Sequence, residues 1–587
     1  MPADTVVHRL LEQARTRGDS PAHVVKRDGT WEAISWRDFA DEVVRAAKAL
    51  IAMGLEAGDT VAILGFNRPE WVIFDLAAMA VGAAPVGIYT TSSAEEIHHV
   101  AAHAAARVFL VENAKLYERV AKIRKDLPEL AHTIFMRGDD PRPRRVLGWD
   151  EFLASGDDTG DDEFERRLDA LEPDGLATLI YTSGTTGPPK GVMLSHDNLA
   201  WTAGCVADIL ATDGEDCSLS YLPLSHIAEQ MLTIHGPITA GMTIYFAESL
   251  EAVADNLKEV QPTVIFGVPR IWEKFHAGIS ARLAGATGLK KAIVAFSRHA
   301  ATDVNKAKLC GRRPGLWTRF RYRIANRLLL SKIKPALGLG RARLCVSGAA
   351  PVAVEVLEFF ASLDLPIYEV YGQSEDTGPT SINLPGETRL GSVGKALPGV
   401  EVKIADDDEI LVKGRNVFMG YYRDDAATQE TLTDGWLHSG DLGRIDDDGY
   451  LHITGRKKEI IITAGGKNVA PKNLELALKS DPLVNEAVVI GDRRKYLTAL
   501  ITLDEDAAAT VANGAGGPLA DNPLIRDHIQ RAVDALNGTV AQVETIKKFT
   551  VLSRNFTIDD GELTPSLKVK RKVVAKHFAD EIEAMYE

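Results

Sequence analysis

Residues 181–194 read YTSGTTGPPKGVML. Hydroxyl residues and glycines fill Thr182–Gly187, two prolines follow, and a lysine and another glycine close the run. Neither a packed strand nor a helix uses this composition. Glycines let backbone approach a ligand closely, and hydroxyls and backbone N–H groups donate to phosphate oxygens. Lys190 adds a mobile positive charge. The chemistry fits a triphosphate. It is not the common phosphate loop, because Gly187 is followed by Pro188 and Pro189, and Lys190 by Gly191 rather than Ser or Thr. LATLIYTSG predicts a buried strand before the loop, and HDNLAWTAGCVADIL a helix after it. A surface linker is seldom framed this way.

Working outward, the chain alternates helical and extended patterns. WRDFADEVVRAAKALIAMG predicts a helix stopped at Gly54; TVAILGF predicts a strand, PEWVIFDLAAMAVG a helix, APVGIY a strand and SSAEEIHHVAAHA a helix. This predicts an α/β class with helix-covered, mainly parallel sheets. Near residue 390 the texture changes. GSVGKALPGVEVKIADDDEILVKG and GRIDDDGYLHITG predict short strands in a small antiparallel, barrel-like sheet. From Gly455 a compact tail follows: strand KEIIITAGG, helix PKNLELALKS, strands VNEAVVIGD and LTALITLD, an Ala/Gly-rich loop and a long helix. Two domains are expected, residues 1–454 and a small α+β domain over 455–587.

Composition narrows the function. With 587 residues and 45% hydrophobic content the chain can bury large cores. A net charge of −15 argues against a nucleic-acid-binding face. Four scattered cysteines form neither a local zinc motif nor a disulfide framework, so a reduced, cytoplasmic setting is expected. The N-terminus has no apolar signal core, and the uncharged run 76–94 is broken by glycine and proline, so neither secretion nor a membrane span is predicted.

The loop resembles the phosphate loop of the adenylate-forming superfamily of acyl-CoA synthetases, luciferases and peptide-synthetase adenylation domains. YLPLSH (221–226), FGVPRIWEKF (266–275), VSGAAP (346–351), YGQSEDTG (371–378), HSGDLG (438–443), GRKKEIIITAGGKNVAP (455–471) and LTPSLKVKR (563–571) match it in order over most of the chain. The resemblance implies a large adenylation domain and a mobile C-terminal domain, with ATP, CoA and a carboxylic acid as substrates and Mg²⁺ as the ion.

It also implies roles. Thr182, Ser183, Gly184, Thr185, Thr186, Gly187 and Lys190 would hold phosphates, and Gly348, Ala349 and Ala350 would line the adenine. Within YGQSEDTG, Tyr371, Gly372 and Gln373 would contact the nucleotide, Ser374 the α-phosphate, and Glu375 would carry Mg²⁺. The family often has Thr where Ser374 stands; the hydroxyl is kept. Asp441 would take the ribose diol and Arg456 would reach ribose or phosphate. Lys568 would bridge the α-phosphate and the substrate carboxylate; its selection over Lys570, Arg571 and Lys572 rests on the family pattern. Gly455 would be a hinge, where relatives often have Asp or Lys, and Gly465 and Gly466 would face the CoA arm. His226 either lines the acyl pocket or packs and caps.

Residues 276–343 hold sixteen Lys or Arg against one acid, Asp303, with Trp317 and Leu328–Leu330 interleaved. This reads two ways: a solvated helical face paired with acidic surface elsewhere, or a contact with a membrane surface. With VPRIWEKF and LTPSLKVKR, the insertion resembles the long-chain fatty acyl-CoA synthetases. The expectation is a fatty acid–CoA ligase forming acyl-AMP and pyrophosphate, then acyl-CoA and AMP. The rivals are a medium-chain or aryl-acid ligase, a luciferase-like oxygenase, and a non-enzymatic nucleotide-binding protein.

Overall fold

The computed structural model describes residues 4–137, 142–182, 188–512 and 517–587. An eight-stranded sheet forms the first layer, in the order Gly420–Tyr421, Lys190–Ser195, Leu176–Thr182, Ala84–Ile88, Thr60–Leu64, Val108–Val111, His132–Phe135 and Leu147–Gly148. Its inner strands Thr60–Leu64, Ala84–Ile88 and Val108–Val111 pair in parallel and are buried along their whole length. That is why they read as continuous apolar runs rather than alternating ones. The helices that cover them start on side-chain caps. Ser35 accepts from the Asp38 N–H ahead of Trp36–Ala52, and Ser93 and Glu96 close a capping box ahead of Ala94–Ala104. Trp36, Phe39, Trp71, Phe74 and Phe152 are fully buried in the core beneath.

The opening stretch differs from its sequence reading. Lys190–Ser195 is a strand, antiparallel to Leu176–Thr182, so the described chain on either side of the loop is a pair of neighbouring strands and not a strand followed by a helix. The helix His196–Leu210 comes only after it, capped by Ser195. GVML is a short apolar run, and its burial against the sheet makes a strand of what looked like the end of a loop.

A second sheet runs Val264–Gly267, Leu344–Ser347, Ile367–Tyr371, Ser381–Ile382 and Lys395–Ala396, its first three strands parallel. All three point their carboxyl ends toward the same edge, where open α/β sheets place ligands. Pro21–Arg27, Thr30–Ser35, Cys217–Ser220 and Thr243–Phe246 make a four-stranded sheet. The small antiparallel sheet holds Glu401–Ile404, Glu409–Lys413, Leu432–Thr433, Trp436–Ile445 and Leu451–Arg456.

The tail has its own hydrophobic clusters, drawn entirely from residues 461–586. They form around the sheet Val484–Ile490, Leu497–Leu503 and Ile546–Val551, with helices Pro471–Lys479 and Pro523–Asn537. Two local expectations change. KEIIITAGG supplies only a two-residue strand, Ile461–Ile462, after a 3₁₀ turn at Lys457–Glu459. The start of the Ala/Gly-rich loop is a helix, Glu505–Ala512, in keeping with alanine's helix preference.

Candidate active site

The carboxyl end of the strand Ile367–Tyr371 delivers Tyr371, whose hydroxyl donates to Asp441 Oδ2 at 3.1 Å. Gln373 Nε2 donates to the same oxygen at 2.7 Å and to the Ser439 carbonyl at 2.9 Å. Arg456 Nε donates to Asp441 Oδ1 at 2.8 Å. Asp441 and Arg456 are cross-strand partners on Trp436–Ile445 and Leu451–Arg456, so sheet register brings this pair together. Burial and the Asp441 charge raise the Tyr371 phenol well above its ordinary range, which keeps it a donor.

Ser374–Asp376 is a 3₁₀ turn capped by Asp376, whose Oδ1 accepts from the Gln373 N–H at 2.5 Å. Ser374 is buried, and Glu375 Oε1 accepts from the Tyr421 hydroxyl at 2.8 Å. Lys190 Nζ sits 4.7 Å from the centre of the Tyr421 ring, a cation–π contact. Tyr421 therefore ties Lys190 to Glu375 across the sheet edge. Thr182 ends the preceding strand; Ser183, Gly184, Thr185, Thr186 and Gly187 lie outside the described residues. The turn Gly348–Ala350 follows Leu344–Ser347, with Ala349 in the left-handed region at φ +69°.

Lys568 enters from the tail. Its surface is open to water, yet it lines a cleft walled by both lobes. Burial and then the Arg456 cation push its ammonium below the ordinary lysine range, while Asp441 and Glu375 pull the other way. The tail is held there by the Thr91 hydroxyl donating to the Pro565 carbonyl at 2.8 Å and by Arg270 Nη2 donating to Asn485 Oδ1 at 2.6 Å. Lys568, Glu375, Asp441, Arg456 and His226 thus converge on one place.

Beside them opens a largely apolar cavity of about 120 Å³. Ala349, Gly372 and Gln373 line its polar end; Val206, Leu210, Met231, Val264 and Phe266 line its depth. His226 lies on its wall and caps the short helix Ile227–Gln230, Nδ1 accepting from the Ala228 N–H at 3.2 Å. Burial, with Lys568 nearby, lowers its imidazole to about 4. The ring is neutral at physiological pH, with its proton on Nε2. We expect pH–activity curves of the native protein and His226→Asn to superimpose from about pH 6 to 8. An acid limb near 6.5 that the substitution removes would contradict this.

Not every expected residue joins the cluster. Gly465 and Gly466 sit at the exposed tip between Ile461–Ile462 and Asn468–Val469, bonded within the tail through Ala464 N–H to the Arg494 carbonyl. Gly455 lies in the strand Leu451–Arg456, opposite Leu442. Conversely, Tyr421 and Lys472, whose charge acts on Lys568, carried no motif signal. Neither did Glu229. It is buried, pushed up to about 8, and accepts from Ser220, Thr233, Asn67 and the Tyr221 N–H, which fixes the segment carrying His226. Its only outward sign is a charge inside an apolar run.

A family model for AMP-binding enzymes matches residues 10–422, and a model for the AMP-binding enzyme C-terminal domain matches 458–587. The chain is 38% identical to the Long-chain-fatty-acid–CoA ligase ACSBG2 of Xenopus laevis, covering 99% of this chain and 84% of that protein. It is 40% identical to the Long-chain-fatty-acid–CoA ligase FadD15 of Mycobacterium tuberculosis, over 99% of this chain and 97% of that one. Among solved structures, the A domain of a carboxylic acid reductase from Segniliparus rugosus, in complex with AMP and a co-purified carboxylic acid, matches with a TM-score of 0.75. The identity is 21%, over 99% of this chain and 94% of that one. The anthranilate CoA ligase AuaEII with anthranoyl-AMP matches at 0.72 and 20% identity, over 98% and 97%.

Proposed function

The chain belongs to the AMP-binding enzyme family, and from that premise we propose that it is an ATP-dependent long-chain fatty acid–CoA ligase. The observation that carries the reading is the apolar cavity opening directly beside Tyr371, Gln373, Asp441 and Lys568. An aliphatic chain can be buried there with its carboxylate held at the polar end. The relatives named as long-chain ligases support the choice of acid.

In the first step a carboxylate oxygen attacks the α-phosphorus of ATP, and the bond to pyrophosphate breaks. Two anions meet, so the step depends on positioning and charge stabilisation. Tyr371 and the Gly348–Ala350 turn would take the adenine. Asp441 would accept from the ribose hydroxyls in place of its Gln373 and Tyr371 contacts, with Arg456 beside it. Ser374 would donate to the α-phosphate. Lys190, with the loop from Thr182, would hold the β- and γ-phosphates. Lys568 would place its ammonium between phosphate and carboxylate. In the second step the CoA sulfur attacks the acyl carbonyl, the bond to AMP breaks, and the thiol proton passes to solvent.

Magnesium fits Glu375. Tyr421 takes one carboxylate oxygen and the other has no protein partner among the described residues. No cage of three or more ligating side chains exists among them. A single carboxylate plus substrate phosphates is the way this ion is commonly held. When bound, the ion would neutralise charge on the departing pyrophosphate.

We read residues 1–454 and 455–587 as the two moving units, with Gly455 as the pivot and the Gly465–Gly466 tip turning toward the thiol arm in the second step. Support comes from the tail's separate hydrophobic clusters and its polar contacts with the large lobe. No helix among the described residues is long and apolar enough to cross a membrane. The basic segment 276–343 is read as a lipid-facing surface.

The test is a panel of carboxylic acids of graded length, scored by CoA-dependent AMP release. The ratio kcat/KM should rise with chain length, because each buried methylene contributes roughly 0.8 kcal/mol of binding. Preference for an aryl or short acid would overturn the substrate assignment.

A further inference from the structure

The segment 276–343 folds as four helices, Pro269–Ala284, Gly288–Leu309, Leu316–Ala325 and Ser331–Ala336, the last two joined through a π-helical turn at Asn326–Leu330. Helix Leu316–Ala325 is anchored on its inner side. Ala325 and Leu330 pack on Ala300 and Ala301, Arg321 pairs with Asp303 at 3.3 Å, and the Tyr322 hydroxyl donates to Asp364 at 2.6 Å. Its outer side has no such partner among the described residues. Leu316 is 84% exposed, Trp317 71% and Phe320 52%, and Ile324 and Leu328 continue the row. Spacings of three and four residues put Trp317, Phe320 and Ile324 on one face. The Trp317 and Phe320 rings stack at 5.5 Å.

Arg319, Arg323 and Arg327 run beside this row at four-residue intervals, all exposed, and none makes an ion pair among the described residues. Arg312 and Arg313 precede it. The contrast with the rest of the chain is large. Residues 276–343 carry sixteen basic residues and one acid, a net of +15; the remainder carries fifty-one and eighty-one, a net of −30. A solvated face would not need an aligned row of large apolar side chains, and a dense cationic flank inside an acidic protein is complementary to a surface of anionic charge.

We propose that helix Leu316–Ala325 and the turn behind it dock on an anionic lipid surface. The Trp317, Phe320 and Ile324 side chains enter the headgroup boundary and the arginine row meets lipid phosphates and carboxylates. Apolar burial and cationic attraction together are what hold a helix in the interface plane. The docking stands on the exposed row and its charge. What it serves, access to acids dissolved in the bilayer, rests on the function proposed above.

The test is co-sedimentation of the full chain with vesicles of phosphatidylcholine alone and of phosphatidylcholine with phosphatidylserine. Binding to the anionic vesicles, released by salt, is expected. Trp317→Glu/Phe320→Glu should weaken it at least about tenfold, and Arg319→Glu/Arg323→Glu comparably. All of these residues are exposed, so melting temperatures should match the native protein. Absence of binding to anionic vesicles, equal binding to neutral ones, or binding unaltered by both double variants overturns the proposal. So does a native dimer that the Trp317/Phe320 variant converts to monomer, since a second copy would then be the occupant. ATP–pyrophosphate exchange on a long-chain acid held in detergent micelles, without vesicles, is measured alongside: its loss in every sample speaks against the ligase reading and leaves the docking result standing.

Discussion

Lys568→Ala should lower acyl-adenylate formation by about a thousandfold, the scale set by removing a charge-stabilising group aimed at a developing anion. Thioester formation from supplied acyl-adenylate should keep most of its rate, because the first step's repulsion has then already been overcome. Lys568 stands where Glu375, Asp441 and Arg456 meet, and it alone among these belongs to the tail beyond the Gly455–Arg456 strand end. Its ammonium is held below the ordinary lysine value by burial and by Arg456. Adenylation needs the charged form, so its rate should fall as pH rises through a value below 10.5. Separate measurement of the two half-reactions decides the point. Equal loss in both would contradict the assignment.

Gly372→Ala should be nearly as damaging, for a reason of space. A β-carbon there would land on the Gly378 carbonyl and come within 3.0 Å of Asp376 Oδ1. The turn cannot yield cheaply. Gly378 N–H donates to the Gln373 carbonyl at 2.8 Å, and buried Asp376 is tied to the Gln373 N–H and, at 2.7 Å, to the Thr380 hydroxyl. Overpacking of this kind costs about 1–3 kcal/mol, and here the displaced atoms carry Tyr371, Ser374 and Glu375. We expect at least a hundredfold loss of adenylation, the scale that a misplacement of about 1 Å can cause, with a lowered melting temperature. Gly278→Ala is the control. It lies in helix Pro269–Ala284 with nothing near the added carbon, and should leave activity unchanged. A fully active Gly372→Ala protein would show that the turn is free to rearrange.

The parts of the site carried by local motifs are legible in the sequence alone. YGQSEDTG and HSGDLG each pack several polar roles into a few residues, and Tyr371, Gln373 and Asp441 do meet. Parallel strands announce themselves because burial on both faces makes them uniformly apolar. Proximity without a motif is not legible. Tyr421 reaches Glu375 from 46 residues away, and nothing in FMGYYRDD marks it. The strand at Lys190–Ser195 is hidden because GVML is too short to separate strand from loop by periodicity. The helix Glu505–Ala512 is hidden in a stretch rich in both alanine and glycine, which sit at opposite ends of helix preference. The paired charges of Arg456 and Asp441 depend on strand register, which only the folded sheet sets.

Union of a fatty carboxylate with AMP inside this cleft is the step on which every assigned role depends. Purified protein should therefore be given Mg²⁺, ATP and a long-chain acid without CoA, quenched, and the products identified by mass. The predicted result is fatty acyl-AMP and pyrophosphate in equal amounts, formed by the native protein and about a thousandfold more slowly by Lys568→Ala. Hydrolysis of ATP without the mixed anhydride, or no reaction with acids of any length, would contradict it.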